Sequence, residues 1–460
     1  MNLKNILEKN KYLAFILFIL QLPLFFKSFQ KILTNKDFSF IDLNSILLSM
    51  CLFIFILFTA KGLVYLFKLN INYSFSYVLF FLASFAVANL LAVTNVEIEF
   101  FYFYFCILLV SNIAFFKYEE NFILKILHAG VFAVISFVNF NKSYLSRFVY
   151  NRSEQSGDVD LLILPNIEKI YNSNILEVFK NPVADAGFFH INFTIFGNFY
   201  FATLAKTLSM VGDFLTVNLL PYTLFFLFII FVYELKIDSI FKILLLTFHL
   251  NILIINPWIR YLLNNSYMTE GISSLFFVVI FYNLLNKNVS HRVELNFLYF
   301  FVGFFIFSKL FISLFIFIYL IFMKKWTIQQ ITLLSIGPLT ISYLMFIKYP
   351  PSNTNELLNG FNAIIIQDII KYWLEDSIWI YSVFCCFLIL FTQLAVFKKI
   401  NIFNRYVLFF NVLNLFLIFT LYSLSWTEGV EFESSYRYML QNYFLNLIFT
   451  VTLLGNENKI

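Results

Sequence analysis

The sequence predicts an all-α, polytopic transmembrane helix bundle of about 13–14 spans, with an extracytoplasmic loop region carrying juxtamembrane helices. Three observations predict it. Hydrophobic residues make up 61% of the chain and charged residues 12%, and the mean hydropathy is +0.83. Apolar runs of about 18 to 20 residues recur, the length at which a helix crosses a hydrocarbon layer of ~30 Å. The runs lack the two-residue alternation of a membrane β-barrel.

Residues 12–26 form the first expected span. Lys4, Lys9 and Lys11 precede it as in a signal peptide, but no small-residue cleavage site follows, so the segment is expected to be retained. Spans 45–67, 75–92, 100–116 and 122–140 complete an N-terminal region, 1–140. A polar interval, Asn141–His190, follows and belongs in water. Residues 193–210, interrupted by Gly197, Asn198 and Lys206, read as an amphipathic helix lying along the outer surface. It closes a second region, 141–213, of extracytoplasmic character. The C-terminal bundle, 214–460, carries expected spans at 214–233, 240–255, 271–285, 297–322, 331–347, 378–397, 406–424 and 439–454.

Loops rich in Lys and Arg stay cytoplasmic. Lys287 with Arg292, Lys324 with Lys325, and Lys398, Lys399 and Arg405 mark three such loops. For the first two to share a side, 297–322 must enter and return as a hairpin, with Ser308 and Lys309 at its turn, where polar groups are tolerated. A cytoplasmic N-terminus then places Asn141–His190, 256–270, 348–377 and 425–438 outside. Lys27, Lys31 and Lys36 fall in an outer loop and depart from the rule.

Composition also excludes function classes. The net charge of +5 is spread over loops without a dense basic block, so no nucleic-acid partner is expected. The 67 Phe and 27 Tyr accompany abundant Ile, Asn and Lys and scarce Ala, Gly and Pro, which points to a low-GC genome before it points to a stacking platform. Cys51, Cys106, Cys385 and Cys386 all sit in apolar runs and form no metal or disulfide pattern. There is no P-loop, dinucleotide fingerprint or HExxH motif. His128, His249 and His291 fall in unrelated places.

The chemistry-bearing residues collect in the outer segments. Asp158 and Asp160, in Gly157-Asp158-Val159-Asp160, are flanked by Arg147, Arg152, Glu154 and Lys169. A carboxylate of this kind can take a proton from an acceptor hydroxyl, and a pair can hold a divalent cation against a phosphate. A solvated loop role stands beside that reading. Lys309 and Arg437, close to the membrane, can contact the phosphate of a lipid-linked substrate or reach to headgroups. Arg260 adds a further cation, and His190 is an acid/base group or a polar anchor.

The order of these features resembles the C-type membrane glycosyltransferases (GT-C superfamily). An acidic outer loop is followed by His190 … Phe196-Gly197 … Tyr200 … Leu204, by Asn256-Pro257, and by Tyr261 … Tyr267-Met268-Thr269-Glu270-Gly271. Gly303 … Ser308-Lys309 and Tyr436-Arg437-Tyr438 come last. The resemblance implies sugar transfer from a polyprenyl-phosphate donor to a glycan, lipid or protein acceptor on the extracytoplasmic face of the cytoplasmic membrane. On that analogy Asp158 or Asp160 and Glu270 are the acidic positions. Lys309 and Arg437 are the phosphate contacts. Apart from the analogy, Arg147, Arg152, His190, Arg260 and Tyr438 are expected to bind substrate, and a polymerase would depend mainly on Arg147, Arg152, Arg260 and Arg437. Here five spans precede the acidic loop, whereas the family places it after the first, and no Pro-Pro pair opens the surface helix. An O-antigen or capsule-type polysaccharide polymerase and a lipid-linked substrate transporter or flippase are the rival readings.

Overall fold

The computed structural model describes residues 43–94, 100–118, 164–181, 195–211, 220–255, 269–285, 292–305, 327–349, 367–368, 370–371, 402–425 and 442–448. Among them the regular structure is helical and there is no strand. In chain order the helices are α1 (Leu43–Leu66), α2 (Tyr73–Val93), α3 (Phe100–Tyr118), α4 (Leu164–Asn172), α5 (Leu176–Lys180) and α6 (Ile195–Val211). They continue with α7 (Leu220–Glu234), α8 (Ser239–Ile255), α9 (Thr269–Leu285), α10 (Arg292–Phe305), α11 (Ile328–Ser342) and α12 (Ile402–Ser425). A short helix, α13, covers 443–448.

Two described helices are long and apolar enough to cross a membrane by length and composition: Tyr73–Val93 and the continuous Ile328–Lys348. Shorter apolar helices occupy Phe53–Leu66, Ser239–His249, Gly271–Asn283, Asn296–Phe305 and Tyr406–Thr420. Each coincides with an expected span. The expected spans at 12–26, 122–140 and 378–397 lie outside the described residues.

The chain divides into two compact units, one of residues 32–234 and 264–353, the other of 1–31, 235–263 and 354–460. The larger unit is organised around α2. Ser74, Ser76, Ala83, Ser84, Ala86, Ala88 and Ala92 keep α2 thin and are all buried, which lets neighbours approach closely. Helices α1, α6, α7, α9, α10 and α11 surround it. Its buried hydroxyl and amide groups are turned onto its own backbone where they can be: Ser76 Oγ donates to Asn72 O at 2.6 Å, and Asn89 Nδ2 to Phe85 O at 2.8 Å.

Aromatic contacts set the direction of each neighbour. Phe85 meets Phe196 and Phe199 at ring distances of 5.2 and 5.3 Å, while Phe81 and Tyr77 meet Tyr200; α6 therefore runs antiparallel to α2. Phe67, just before α2, meets Phe297, and Phe85 meets Phe304, so α10 runs parallel to α2. In α11, Leu334 and Gly337 lie beside Gly303, and Lys348 reaches Ala92 and Val93, giving the same direction again.

The helix at α6 corrects an expectation. Residues 193–210 read as a surface-lying amphipathic segment, but α6 is buried on every side from Ile195 to Ala205. Its polar positions, Asn198 and Thr203, are fully buried and face protein, not water. A helix enclosed all round needs no polar face, and Gly197 with Asn198 are interior positions that only looked like an interruption. The span count that relied on a surface placement for this helix loses that premise.

Helices α10 and α11 approach backbone to backbone. A Cβ at Gly303 would lie 2.4 Å from Leu334 O, and one at Gly337 would lie 2.3 Å from the Gly303 carbonyl carbon. Pro338 follows directly inside α11. Its missing N–H would otherwise have bonded the carbonyl of Leu334, so the oxygen that faces Gly303 is one that α11 leaves without that donor. Helix α11 opens on a capping box between Thr327 and Gln330 and passes into a π-helical turn, Tyr343–Lys348, where Tyr349 N bonds Leu344 O at 2.9 Å.

Candidate functional site

Of the residues expected to carry chemistry, Glu270 alone falls in a described element, as the second residue of α9. Arg147, Arg152, Asp158, Asp160, His190, Arg260, Lys309, Arg437 and Tyr438 lie outside the described residues. By sequence, Arg260, Arg437 and Tyr438 belong to the smaller unit and the others to the larger.

The larger unit nevertheless fixes where their neighbours lie. Phe276 packs on Tyr77, Phe81, Phe196, Tyr200 and Phe305. Tyr282, further along α9, packs on Phe231, one turn before Glu234 and the Tyr73 end of α2. Helix α9 thus runs towards the Tyr73 end and starts, with Glu270, on the Val93 side. Helix α6 also starts on that side, five positions after His190. Helix α10 finishes there, with Phe305 at 5.7 Å from Phe196, four positions before Lys309. The Val93 side therefore gathers the first turn of α9, which holds Glu270, and the ends of the two helices that stand next in sequence to His190 and Lys309.

The helix that follows the acidic pair is held elsewhere. Lys206, a turn and a half beyond Tyr200, donates to Tyr171 O at 3.0 Å and sits 4.1 Å from the Tyr171 ring centroid. Since α6 advances about 1.5 Å per residue towards the Tyr73 end, this contact holds the end of α4 towards that end. Asp158 and Asp160 precede α4, and Glu270 opens a helix on the opposite side.

At the Tyr73 end lies a polar cluster that sequence reasoning missed. Glu234 closes α7 and accepts from Tyr73 N at 2.6 Å, from Ser74 N at 3.1 Å and from the Ser74 hydroxyl. A carboxylate there meets two of the N–H groups that a helix start leaves unbonded. Burial pushes Glu234 up to about 6, against the lowering pull of those hydrogen bonds and of the Lys61 ammonium. Lys61 is buried, donates to Ile71 O, and lies 5.0 Å from the Tyr73 ring centroid and 5.4 Å from that of Tyr65. The signal was legible: a lysine inside the apolar run 45–67 has to find partners in an apolar interior.

The smaller unit holds a second missed cluster. His249 Nδ1 and Tyr443 Oη lie 2.8 Å apart, linking α8 to α13, and the His249 ring also packs on Phe444. Asn411 and Asn446 exchange two amide hydrogen bonds, at 2.8 and 3.0 Å, joining α12 to α13. Asn442 Nδ2 donates to Asn411 Oδ1 at 3.2 Å and to Phe410 O at 3.3 Å, while its own buried Oδ1 accepts no hydrogen bond. Four Asn stand in the runs 406–424 and 439–454, and their recurrence at 411, 414, 442 and 446 was the available clue.

Among the described residues no group of three or more His, Cys, Asp or Glu is placed to hold a metal ion. No family model matches the chain, and no curated protein or solved structure is similar to it.

Proposed function

We propose that the chain is a multi-pass membrane glycosyltransferase that takes a sugar from a polyprenyl-phosphate donor. Its working end is the Val93 side of the larger unit, on the extracytoplasmic face of the cytoplasmic membrane. One observation carries this reading. The first turn of α9, which holds Glu270, lies on the same side of the larger unit as the start of α6, five residues after His190, and as the last described turn of α10, four residues before Lys309, an arrangement that supports one site for an expected base and an expected cation. An acid/base group beside a cation at membrane depth suits transfer from a lipid phosphate: the cation binds the phosphate and the carboxylate takes the acceptor proton.

Within this reading Glu270 is the first candidate base. Asp158 and Asp160 are the second, because α4 follows them on the Tyr73 side. A divalent cation remains compatible with a carboxylate facing a phosphate. Arg260, Arg437 and Tyr438 are assigned to acceptor or donor binding, with Arg147 and Arg152 beside the acidic pair.

The test is transfer of radiolabelled hexose from polyprenyl-phosphate donors to endogenous acceptors in membranes of expressing cells. Glu270→Gln is expected to abolish transfer and Lys309→Ala to raise the KM for the donor, both with unchanged monodispersity in detergent. Full transfer by Glu270→Gln together with an unaltered donor KM in Lys309→Ala would discard the proposal.

One observation favours transport of a lipid-linked substrate as the second reading. The His249–Tyr443 and Asn411–Asn442–Asn446 clusters place buried polar groups inside apolar helices, as a polar path through a bilayer requires. Loss of substrate flux in His249→Phe with transfer never detected would select it.

A further inference from the structure

We propose that the outward face of α11 and its π-helical continuation is a lipid-contacting surface. It meets the acyl chains of a bilayer from Ile328 to Ile347, with the polar boundaries at Thr327–Gln330 and at Lys348. The inference rests on the membrane part of the proposed function and not on the transferase part.

The two sides of this helix differ sharply. Leu334, Gly337, Ile341, Leu344 and Met345 are buried, recurring every three or four positions. On the other side, Ile328 is 85% exposed, Leu339 68%, Phe346 52% and Ile347 71%, and Ile331 and Tyr343 join them. Only 28% of an 18-residue window of this helix is buried, against 78% for α2. So large a continuous apolar surface is unfavourable in water.

Length and polarity choose hydrocarbon as the occupant. The helix from Ile328 to Lys348 has 21 residues, about 31 Å at 1.5 Å per residue, against a hydrocarbon core of ~30 Å. No charged residue occurs between Lys325 and Lys348. Two of the hydroxyls along it are satisfied by their own helix, Thr332 Oγ1 donating to Ile328 O at 3.0 Å and Ser335 Oγ to Ile331 O at 2.8 Å, so these two make no demand on solvent. The side-chain amides and the charge stand at the two ends, in the Thr327–Gln330 capping-box turn and at the Lys348 ammonium.

A second helix of the same unit argues against a single protein partner. Along α3, Leu109 and Val110 are each 51% exposed and Ile113 61%. Helix α3 packs on α1, whereas α11 packs on α10. One docked chain covers one patch; a bilayer covers apolar stripes on separate helices alike. Because Lys348 is hydrogen-bonded to the end of α2, the boundary at Lys348 also sets the depth of Val93.

The test uses the full chain in phosphatidylcholine vesicles, with Cys51, Cys106, Cys385 and Cys386 replaced by Ser and single nitroxide-labelled cysteines at Gln329, Ile331, Leu339 and Phe346. Collision with oxygen relative to a water-soluble nickel chelate is expected to rise several-fold from 329 to 339. Preferred collision with nickel at 339 would overturn the proposal in favour of a water-facing helix. Immobilised spectra with spin–spin broadening at 331, 339 and 346 would overturn it in favour of a second copy. A measurement on the unmodified chain guards against misfolded variants. A lipid-soluble carbene photolabel should mark Leu339 and Phe346 and spare Leu334 and Ile341; adducts confined to the latter pair, or none in 328–347, would refute the assignment. Either outcome is independent of sugar transfer.

Discussion

Glu234 and Lys348 hold opposite ends of α2. The carboxylate of Glu234 accepts from the first N–H groups, of Tyr73 and Ser74, and the ammonium of Lys348 donates to the last carbonyls, of Ala92 at 2.8 Å and Val93 at 3.4 Å. An anion at a helix start and a cation at its end both oppose the macrodipole and satisfy groups that the helix itself cannot. Both residues come from distant helices, so the caps also tie α7 and the π-helical turn of α11 to α2. Replacing Lys348 with Met keeps the apolar stem and removes the donor, and should cost about 1 kcal/mol. Thermal unfolding in detergent measures it, and an unchanged Tm would mean that the cap contributes nothing.

The Glu234 cap should also depend on pH. Its carboxyl is raised from 4.5 to about 6, so the folded state holds the proton more tightly than the unfolded state. The associated stabilisation is complete below 4.5 and is lost as pH rises through about 6. The Tm of the wild type minus that of Glu234→Gln should therefore fall across this window. A difference that stays flat, or that grows with pH, would contradict the raised value.

Gly303 and Gly337 should tolerate no side chain. Gly303→Leu drives a side chain into the Leu334 carbonyl and should separate α10 from α11, destabilising by about 2 kcal/mol or more. Thr332→Leu, at an exposed position of α11, serves as the control for added volume. Equal expression and Tm for the two variants would show that the close approach is not required.

Tyr77 and Tyr200 bring their hydroxyls to 3.1 Å inside an aromatic cluster. Replacing either with Phe leaves the other hydroxyl buried without this partner, whereas replacing both removes the need. A double-mutant cycle should give a coupling of about 1 kcal/mol, the double variant being less damaged than the sum of the singles. Strict additivity would mean that the two hydroxyls do not interact.

The Asn411–Asn446 pair makes the analogous prediction in the smaller unit. Asn446→Leu removes two of the hydrogen bonds of the Asn411 amide, leaving those to Val407 O and from Asn442, and should cost about 1–3 kcal/mol, while Asn411→Leu combined with Asn446→Leu should recover part of the loss. Helix content and Tm of the three variants decide it.

The apolar runs at 75–92, 240–255, 271–285 and 406–424 foretold α2, α8, α9 and α12 because a long hydrocarbon segment has one good way to satisfy its backbone. The run at 297–322 was legible in its first half, which is α10. The buried course of α6 was not: Gly197, Asn198 and Lys206 lower its apparent hydrophobicity, and only the surrounding helices reveal that these groups face protein. The same holds for the site. Glu270 was legible as a carboxylate opening a helix, yet its separation from the α4 anchor depends on the direction of α6, which local pattern does not encode.

By itself the sequence determined that this protein is helical and rich in apolar segments, since hydrophobicity and length act within one segment. The tertiary structure alone decided that α2 is enclosed while α11 shows one bare side, that Lys61 and Glu234 meet at one end of α2, and that Gly303 faces Gly337. Those outcomes depend on contacts between residues tens to hundreds of positions apart, and no local property of a segment states which distant segment will complete it.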